Sequence, residues 1–163
     1  MKNSVNISSL FTRLSMKHKV VLDCDCFVLR GTPYLKTLAY AAPSLGRFGD
    51  FDFTLPSSRS QYRKDLQRQA RHSHGLLWST VGSYHSDLIP RALVDLFDKL
   101  GKRPVALCFY AKGFQKCQLL EQWLPRVTNL DDLGCPTYAN LSTLMKTALV
   151  KAVTFALWLL NCE

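Results

Sequence analysis

The stretch over residues 19–29 constrains the fold most, because it is apolar on both faces except at two acidic positions. Its sequence, KVVLDCDCFVL, is rich in Val and Leu, which is typical of a strand buried in the middle of a sheet. Asp23 and Asp25 interrupt it. Residues i and i+2 of a strand project from the same face, about 6.6 Å apart along it, so both carboxylates are predicted to share one side of the sheet.

Two carboxylates within a buried apolar run repel each other unless a cation lies between them. Asp23 and Asp25 are therefore a candidate half of a metal site. The alternative is a pair of acids at the exposed end of a strand, with Cys24 and Cys26 pointing into the core. The sequence leaves both interpretations open.

The remaining elements follow in a definite order. Two more strands are predicted next, and the third alternates Phe and Leu with polar residues. Helices then alternate with short strands. We therefore predict an α/β fold with a mixed five-stranded sheet, a three-strand meander followed by βαβ units, flanked by helices. This order matches the ribonuclease H-like fold. The later strands are predicted over residues 34–42, 47–55, 105–110 and 127–130, and the helices over 60–72, 87–100, 112–124 and 141–160.

The composition bounds the number of domains. The chain has 163 residues, of which 47% are apolar and 11% aromatic, enough to form one core and too apolar for disorder over most of its length. We predict a flexible basic arm over residues 1–18 and a single domain over residues 19–163.

A strong positive charge narrows the choice of partner. The formal net charge is +9, from 21 Lys and Arg against 12 acids, so an anion is favoured: nucleic acid, an acidic protein or a lipid headgroup. Five cations cluster on or beside the predicted helix over residues 60–72, where Tyr62 or Trp78 is available to stack on bases. The alternative is a solvated helix face. The cluster consists of Arg59, Arg63, Lys64, Arg68 and Arg71.

The N-terminus and the cysteines indicate a compartment. Residues 1–20 mix cations with short apolar stretches and do not form a signal peptide, so the six cysteines are expected to be reduced in the cytoplasm or nucleus. The longest apolar stretch, residues 147–160, carries Lys151 and is shorter than the roughly 20 residues of a bilayer span. We therefore predict an intracellular protein with no membrane span.

Three stretches carry a resemblance to a known family. They read VVLDCDCFV over residues 20–28, CFYAKGFQKCQLLEQWLP over 108–125, and NLDDLGCP over 129–136. The stretches YLKTLAYA at 34–41 and His-Gly-x-x-Trp at 74–78 fit the same pattern. Together, across most of residues 19–160, they resemble the ribonuclease H-like, DEDD-type exonuclease superfamily, as it occurs in proteins of viruses and mobile elements.

The resemblance implies a two-metal site. Such enzymes hold two divalent cations, Mg²⁺ or Mn²⁺, about 4 Å apart with four carboxylates, so that one activates water and the other stabilises the leaving oxygen. Asp23 and Asp25 take the places of the catalytic and metal-binding pair, and Asp131 that of a further metal ligand. Asp132 and Glu121 are weaker candidates.

Two of the superfamily's acidic motifs are missing. The second falls on the helix after the fourth strand, where this chain has residues 113–116, Gly-Phe-Gln-Lys. The third needs a histidine and an acid on the last helix, where Lys146 and Lys151 stand instead. The resemblance therefore implies the fold more strongly than the activity.

We accordingly expect a nucleic-acid-binding domain derived from an exonuclease that has lost most of its catalytic residues. One alternative is an active divalent-metal-dependent nuclease with a rearranged set of carboxylates. The other is a non-enzymatic protein-interaction module, with a protein partner bound to the apolar C-terminal helix.

Overall fold

The structure is a computed structural model that describes residues 17–58, 60–144 and 146–162. Most of the predicted arm over residues 1–18 therefore lies outside the described residues. Arg59 of the basic cluster lies outside them as well.

Six strands form one mixed sheet in the described part of the chain, in the order β4-β3-β2-β1-β5-β6. β1, β2 and β3 are an antiparallel meander, β5 and β6 run parallel to β1, and β4 runs parallel to β3. β1 thus lies inside the sheet, as its apolar sequence predicts. The strands are β1 (His18–Leu29), β2 (Thr32–Ala42), β3 (Arg47–Thr54), β4 (Tyr84–His85), β5 (Leu107–Ala111) and β6 (Val127–Asn129).

The sheet has one strand more than the predicted five, because the sequence does not predict β4. Two residues are too few to show an alternating pattern. β4 pairs with the end of β3, and the hydroxyl of Thr54 both donates to the carbonyl of Gly82 at 3.2 Å and accepts from its amide at 2.8 Å. A Cβ on Gly82 would lie 2.3 Å from the carbonyl oxygen of Asp52, so only glycine permits this approach.

Helices cover both faces of the sheet. The first two begin within three residues of the predicted positions and end as predicted, whereas the third ends at Leu120 instead of residue 124. The short helix Tyr138–Leu141 is not predicted. The last helix is predicted to begin at residue 141. It begins instead at Ala148, where the hydroxyl of Thr147 accepts a hydrogen bond from the amide of Val150 at 3.2 Å and caps the helix. The helices are α1 (Arg63–His72), α2 (Ile89–Leu100), α3 (Phe114–Leu120), α4 (Tyr138–Leu141) and α5 (Ala148–Asn161).

Side chains of β1 point alternately to the two faces of the sheet, where they contribute to two separate core layers. Leu22 and Cys24 pack with α2 and α3 on one face, whereas Val21 packs with α4 and α5 on the other. Asp23 and Asp25, two and four residues after Val21, therefore face α5. α5 buries Ala152, Phe155 and other apolar side chains against this face, whereas its Leu157 and Leu160 are exposed. None of the described helices has the length and apolar character needed to cross a bilayer.

A third, smaller cluster attaches α1 to the far end of β1. Leu66 and Ala70 of α1 pack on Phe27 and Leu55. β5 pairs with β1 only from His18 to Leu22, so the second half of β1 extends past the end of β5. α1 occupies the space beyond that point.

Candidate functional site

The candidate site is a buried carboxylate held between two lysines. Asp23 is 0% exposed. The Nζ of Lys116, on α3, lies 2.5 Å from its Oδ1, and the Nζ of Lys151, on α5, lies 3.6 Å from its Oδ2. Three elements that are distant in sequence thus meet at one side chain.

The lysines supply the cations that two acids in an apolar strand require. A buried carboxylate is costly unless an opposite charge and hydrogen bonds compensate it. Burial by itself lowers the pKa of Lys116, but the negative charge of Asp23 and its hydrogen bond outweigh that effect, and the net shift of the Lys116 pKa is upward. Lys116 therefore stays protonated at neutral pH.

Asp25 lies in the same group of charged residues as Asp23, Lys116 and Lys151, but its negative charge is less well compensated. It is 8% exposed. Burial, and then the neighbouring charge of Asp23, raise the pKa of Asp25 above its usual value, while the charge of Lys151 opposes this shift. The ionised form of Asp25 is thus disfavoured in the folded protein.

His74 lies beside the cluster, but its ring holds the chain in place. Its Nε2 lies 3.1 Å from the carbonyl oxygen of Cys26, and its Nδ1 accepts a hydrogen bond from the amide of Leu76 at 3.1 Å. These partners require the neutral ring with its proton on Nε2. The ring also meets Phe27 edge-on, with centroids 4.6 Å apart. Both ring nitrogens are therefore occupied by backbone contacts.

The other predicted metal ligands lie in separate contacts. Asp131 pairs with the Nζ of Lys112, which also donates to the carbonyl of Cys135 at 3.0 Å. Glu121 accepts a hydrogen bond from the amide of Val127 at 3.3 Å. Asp132 is exposed.

The residues at the site do not fit a two-metal centre. Within residues 17–58, 60–144 and 146–162, no group of three or more His, Cys, Asp or Glu side chains is placed to hold a metal ion. Asp131 thus does not join Asp23 and Asp25 in such a group. Two ammonium groups occupy the surroundings of Asp23, where further carboxylates would be needed.

The sequence gives one indication that the two lysines belong to the site. Lys116 and Lys151 lie in the segments where the superfamily resemblance expects acidic motifs, but nothing in the sequence indicates that both reach Asp23. That contact depends on the packing of α3 and α5 against β1.

The predicted basic cluster lies on the outer surface of α1. Arg63, Lys64, Arg68 and Arg71 are all exposed, and Arg68 pairs with Asp65 of the same helix at 2.5 Å. Gln69, on the opposite side, anchors the helix. Its side-chain amide donates to the carbonyl of Val28 and accepts from the amide of Val28, both at 2.7 Å.

No family model matches the chain, and neither a curated protein nor a solved structure does.

Proposed function

We propose that the chain is a ribonuclease H-like domain, of the kind found in viruses and mobile elements, that binds nucleic acid through α1. In this proposal an ion-pair cluster has replaced the metal-dependent chemistry of a DEDD-type exonuclease. The contact of Lys116 and Lys151 with Asp23 is the observation that carries the loss of metal-dependent chemistry. The exposed cations of α1 carry the proposed binding.

The strand order supports the proposed ancestry. An antiparallel meander is followed by two strands parallel to β1, and helices lie on both faces. β4 is an addition at the outer side of β3. The acidic pair is on β1, the strand where the superfamily resemblance implies the first two metal ligands.

The origin of the two lysines supports the loss of catalysis. Lys116 comes from the segment expected to supply the second acidic motif, and Lys151 from the helix expected to supply the third. An ammonium group compensates the charge of Asp23 as a divalent cation would. It has no coordination position for a phosphate oxygen and does not activate a water molecule as a metal does.

The surface of α1 supports nucleic-acid binding. Its exposed Arg and Lys side chains are not needed for the core, since Leu66, Ala70 and Gln69 attach the helix. Cations that contact phosphates release condensed counterions, so affinity falls with salt and depends weakly on sequence. Either DNA or RNA satisfies this chemistry.

Fluorescence anisotropy with a labelled oligonucleotide tests the binding. We expect the affinity for a single strand to fall about 20- to 50-fold between 50 and 200 mM salt, as three to four phosphate contacts require. Lys64→Ala and Arg71→Ala should each reduce the salt slope by about 0.7. Lys102→Ala removes the same charge from the end of α2 and should leave the slope unchanged. Salt-independent binding, or no binding, would contradict the proposal.

Incubation of labelled single- and double-stranded substrates with Mg²⁺ or Mn²⁺ tests the lost catalysis. We expect no cleavage, because among the described residues only the carboxylates of Asp23 and Asp25 lie at the site, and two lysines pair with Asp23. Cleavage by the wild type that disappears in Asp23→Asn would instead identify an active metal-dependent nuclease.

A further inference from the structure

A groove runs beside α1, between this helix and the loop that follows it. Its volume is about 440 Å³, within the roughly 300 to 1,000 Å³ of small-molecule sites. Arg63 and Gln67 of α1 line one side, and Leu77 and Trp78 of the loop line the other, with hydroxyls from Ser58 and Ser79. Among the described residues, the groove thus has apolar walls with hydrogen-bonding groups and the cation of Arg63.

The helical repeat places this groove next to the basic surface. Residues 63, 67 and 70 line the groove at intervals of one turn. Residues 64, 68 and 71 form the adjacent stripe, about 100° further round the helix. All three side chains of that outer stripe are exposed cations. A polyanion lying along the outer stripe therefore passes the opening of the groove.

The wall opposite the helix is fixed in place. The indole N–H of Trp78 donates to the carbonyl of Pro56 at 2.8 Å, and its ring meets those of Phe27 and Tyr34 edge-on. The Nζ of Lys36 joins the same loop to β3. It donates to the carbonyl of Phe53 in β3 at 2.9 Å and to the carbonyl of Thr80 in the loop. The groove is therefore largely formed before a ligand arrives.

Leu77 is an apolar side chain in the groove that these contacts leave outside the core. It is 60% exposed and lines the groove, although neighbouring Trp78 is packed on aromatic rings. Exposed apolar surface next to permanent cations suits a ligand that has a flat apolar part and a negative charge close together. A nucleotide has both.

We propose that this groove receives one unstacked base of a single-stranded nucleic acid, while the adjoining phosphates contact Arg63 and the outer stripe of α1. The inference rests on the proposed nucleic-acid binding and adds a strand preference to it. A base in a duplex is paired and stacked and does not enter the groove, whereas a base in a single strand is free to do so.

Two charge-matched variants test the groove. Leu77→Asp places a carboxylate in the groove, and Val81→Asp places one on the same loop at a side chain that is 80% exposed and does not line the groove. Both residues are exposed, so both variants should fold, which an unchanged urea midpoint verifies. Anisotropy is measured with a single-stranded DNA, a single-stranded RNA and a duplex of the same sequence.

We expect Leu77→Asp to weaken single-strand binding at least about fivefold, the scale of a lost base contact. Val81→Asp should weaken it less than about twofold, because an exposed charge away from the ligand is screened. Duplex affinity should respond equally to the two variants. The DNA and RNA arms show whether the ribose hydroxyl contributes.

Equal effects of the two variants on single strands would overturn the groove assignment, as would equal wild-type affinity for single strand and duplex. Either result leaves the proposed binding by α1 intact if Lys64→Ala still lowers the salt slope. Absence of salt-dependent binding to every oligonucleotide would overturn both proposals.

Discussion

The Nζ of Lys116 lies 2.5 Å from the Oδ1 of Asp23, although 93 positions separate the two residues in the chain. The contact joins the start of α3 to the middle of the central strand. Because Asp23 is fully buried, the pair links the stability of the sheet to the presence of a charge on α3.

Lys116→Met should destabilise the protein by about 3 kcal/mol, since it leaves a buried carboxylate without its nearest cation. This loss of stability is at the lower end of the range for breaking a buried ion pair, because the Nζ of Lys151 remains 3.6 Å from the Oδ2 of Asp23. Urea denaturation gives the free energy of unfolding. Lys102→Met, at an exposed lysine, is the matched control and should change it by less than about 0.5 kcal/mol.

The double variant Asp23→Asn, Lys116→Met separates charge compensation from packing. If the uncompensated carboxylate is the cause, the double variant should be more stable than Lys116→Met alone, because its buried carboxylate is gone. A double variant as unstable as the sum of its single changes would show that the two side chains act independently.

Asp25→Asn should stabilise the protein at neutral pH. The folded-state pKa of Asp25 is raised above its unfolded value, so ionisation costs folding free energy as pH rises through the unfolded and then the folded pKa. The gain from Asn should therefore be larger at pH 7 than at pH 4. Urea midpoints at the two values measure it, with exposed Asp132→Asn as control. A gain that is independent of pH would contradict this account.

Gln69→Ala should destabilise the protein by about 1 to 2 kcal/mol, because two hydrogen bonds to the backbone of Val28 are lost. Hydrogen exchange at the Val28 amide should become faster. Gln67→Ala removes the same side chain from the neighbouring groove side of α1 and should leave this exchange rate unchanged. Unaltered protection of Val28 in Gln69→Ala would show that the helix is held by its apolar contacts alone.

Gly82→Ala should cost about 3 kcal/mol, since the new methyl group would lie 2.3 Å from the carbonyl oxygen of Asp52. Gly75→Ala meets no atom within 4 Å but has a φ of +71°, so its smaller penalty comes from the backbone alone. Thermal unfolding compares the two. A milder effect at Gly82 than at Gly75 would mean that the loop moves freely away from β3.

Local patterns predicted much of this architecture. The apolar run around Asp23 identified the interior strand, and helical periodicity placed α1 and α2. The pairing of Lys116 with Asp23 could not be predicted, because it depends on how α3 packs on the sheet. β4 is too short to leave a pattern. The last helix was predicted to begin early because Leu141 and Leu144 continue its apolar spacing, whereas the cap at Thr147 determines where it begins.

The way α1 meets β1 also bears on self-association. Beyond Leu22, β1 has no parallel neighbour among the residues that the structure describes. The side chains of Gln69 and His74 instead form hydrogen bonds with its main-chain groups at Val28 and Cys26. These side chains occupy main-chain groups of a strand edge that would otherwise be free to pair with a strand of another molecule. A chain from which α1 is detached would therefore offer a template for intermolecular β-pairing, and aggregation rather than simple unfolding would mark its loss.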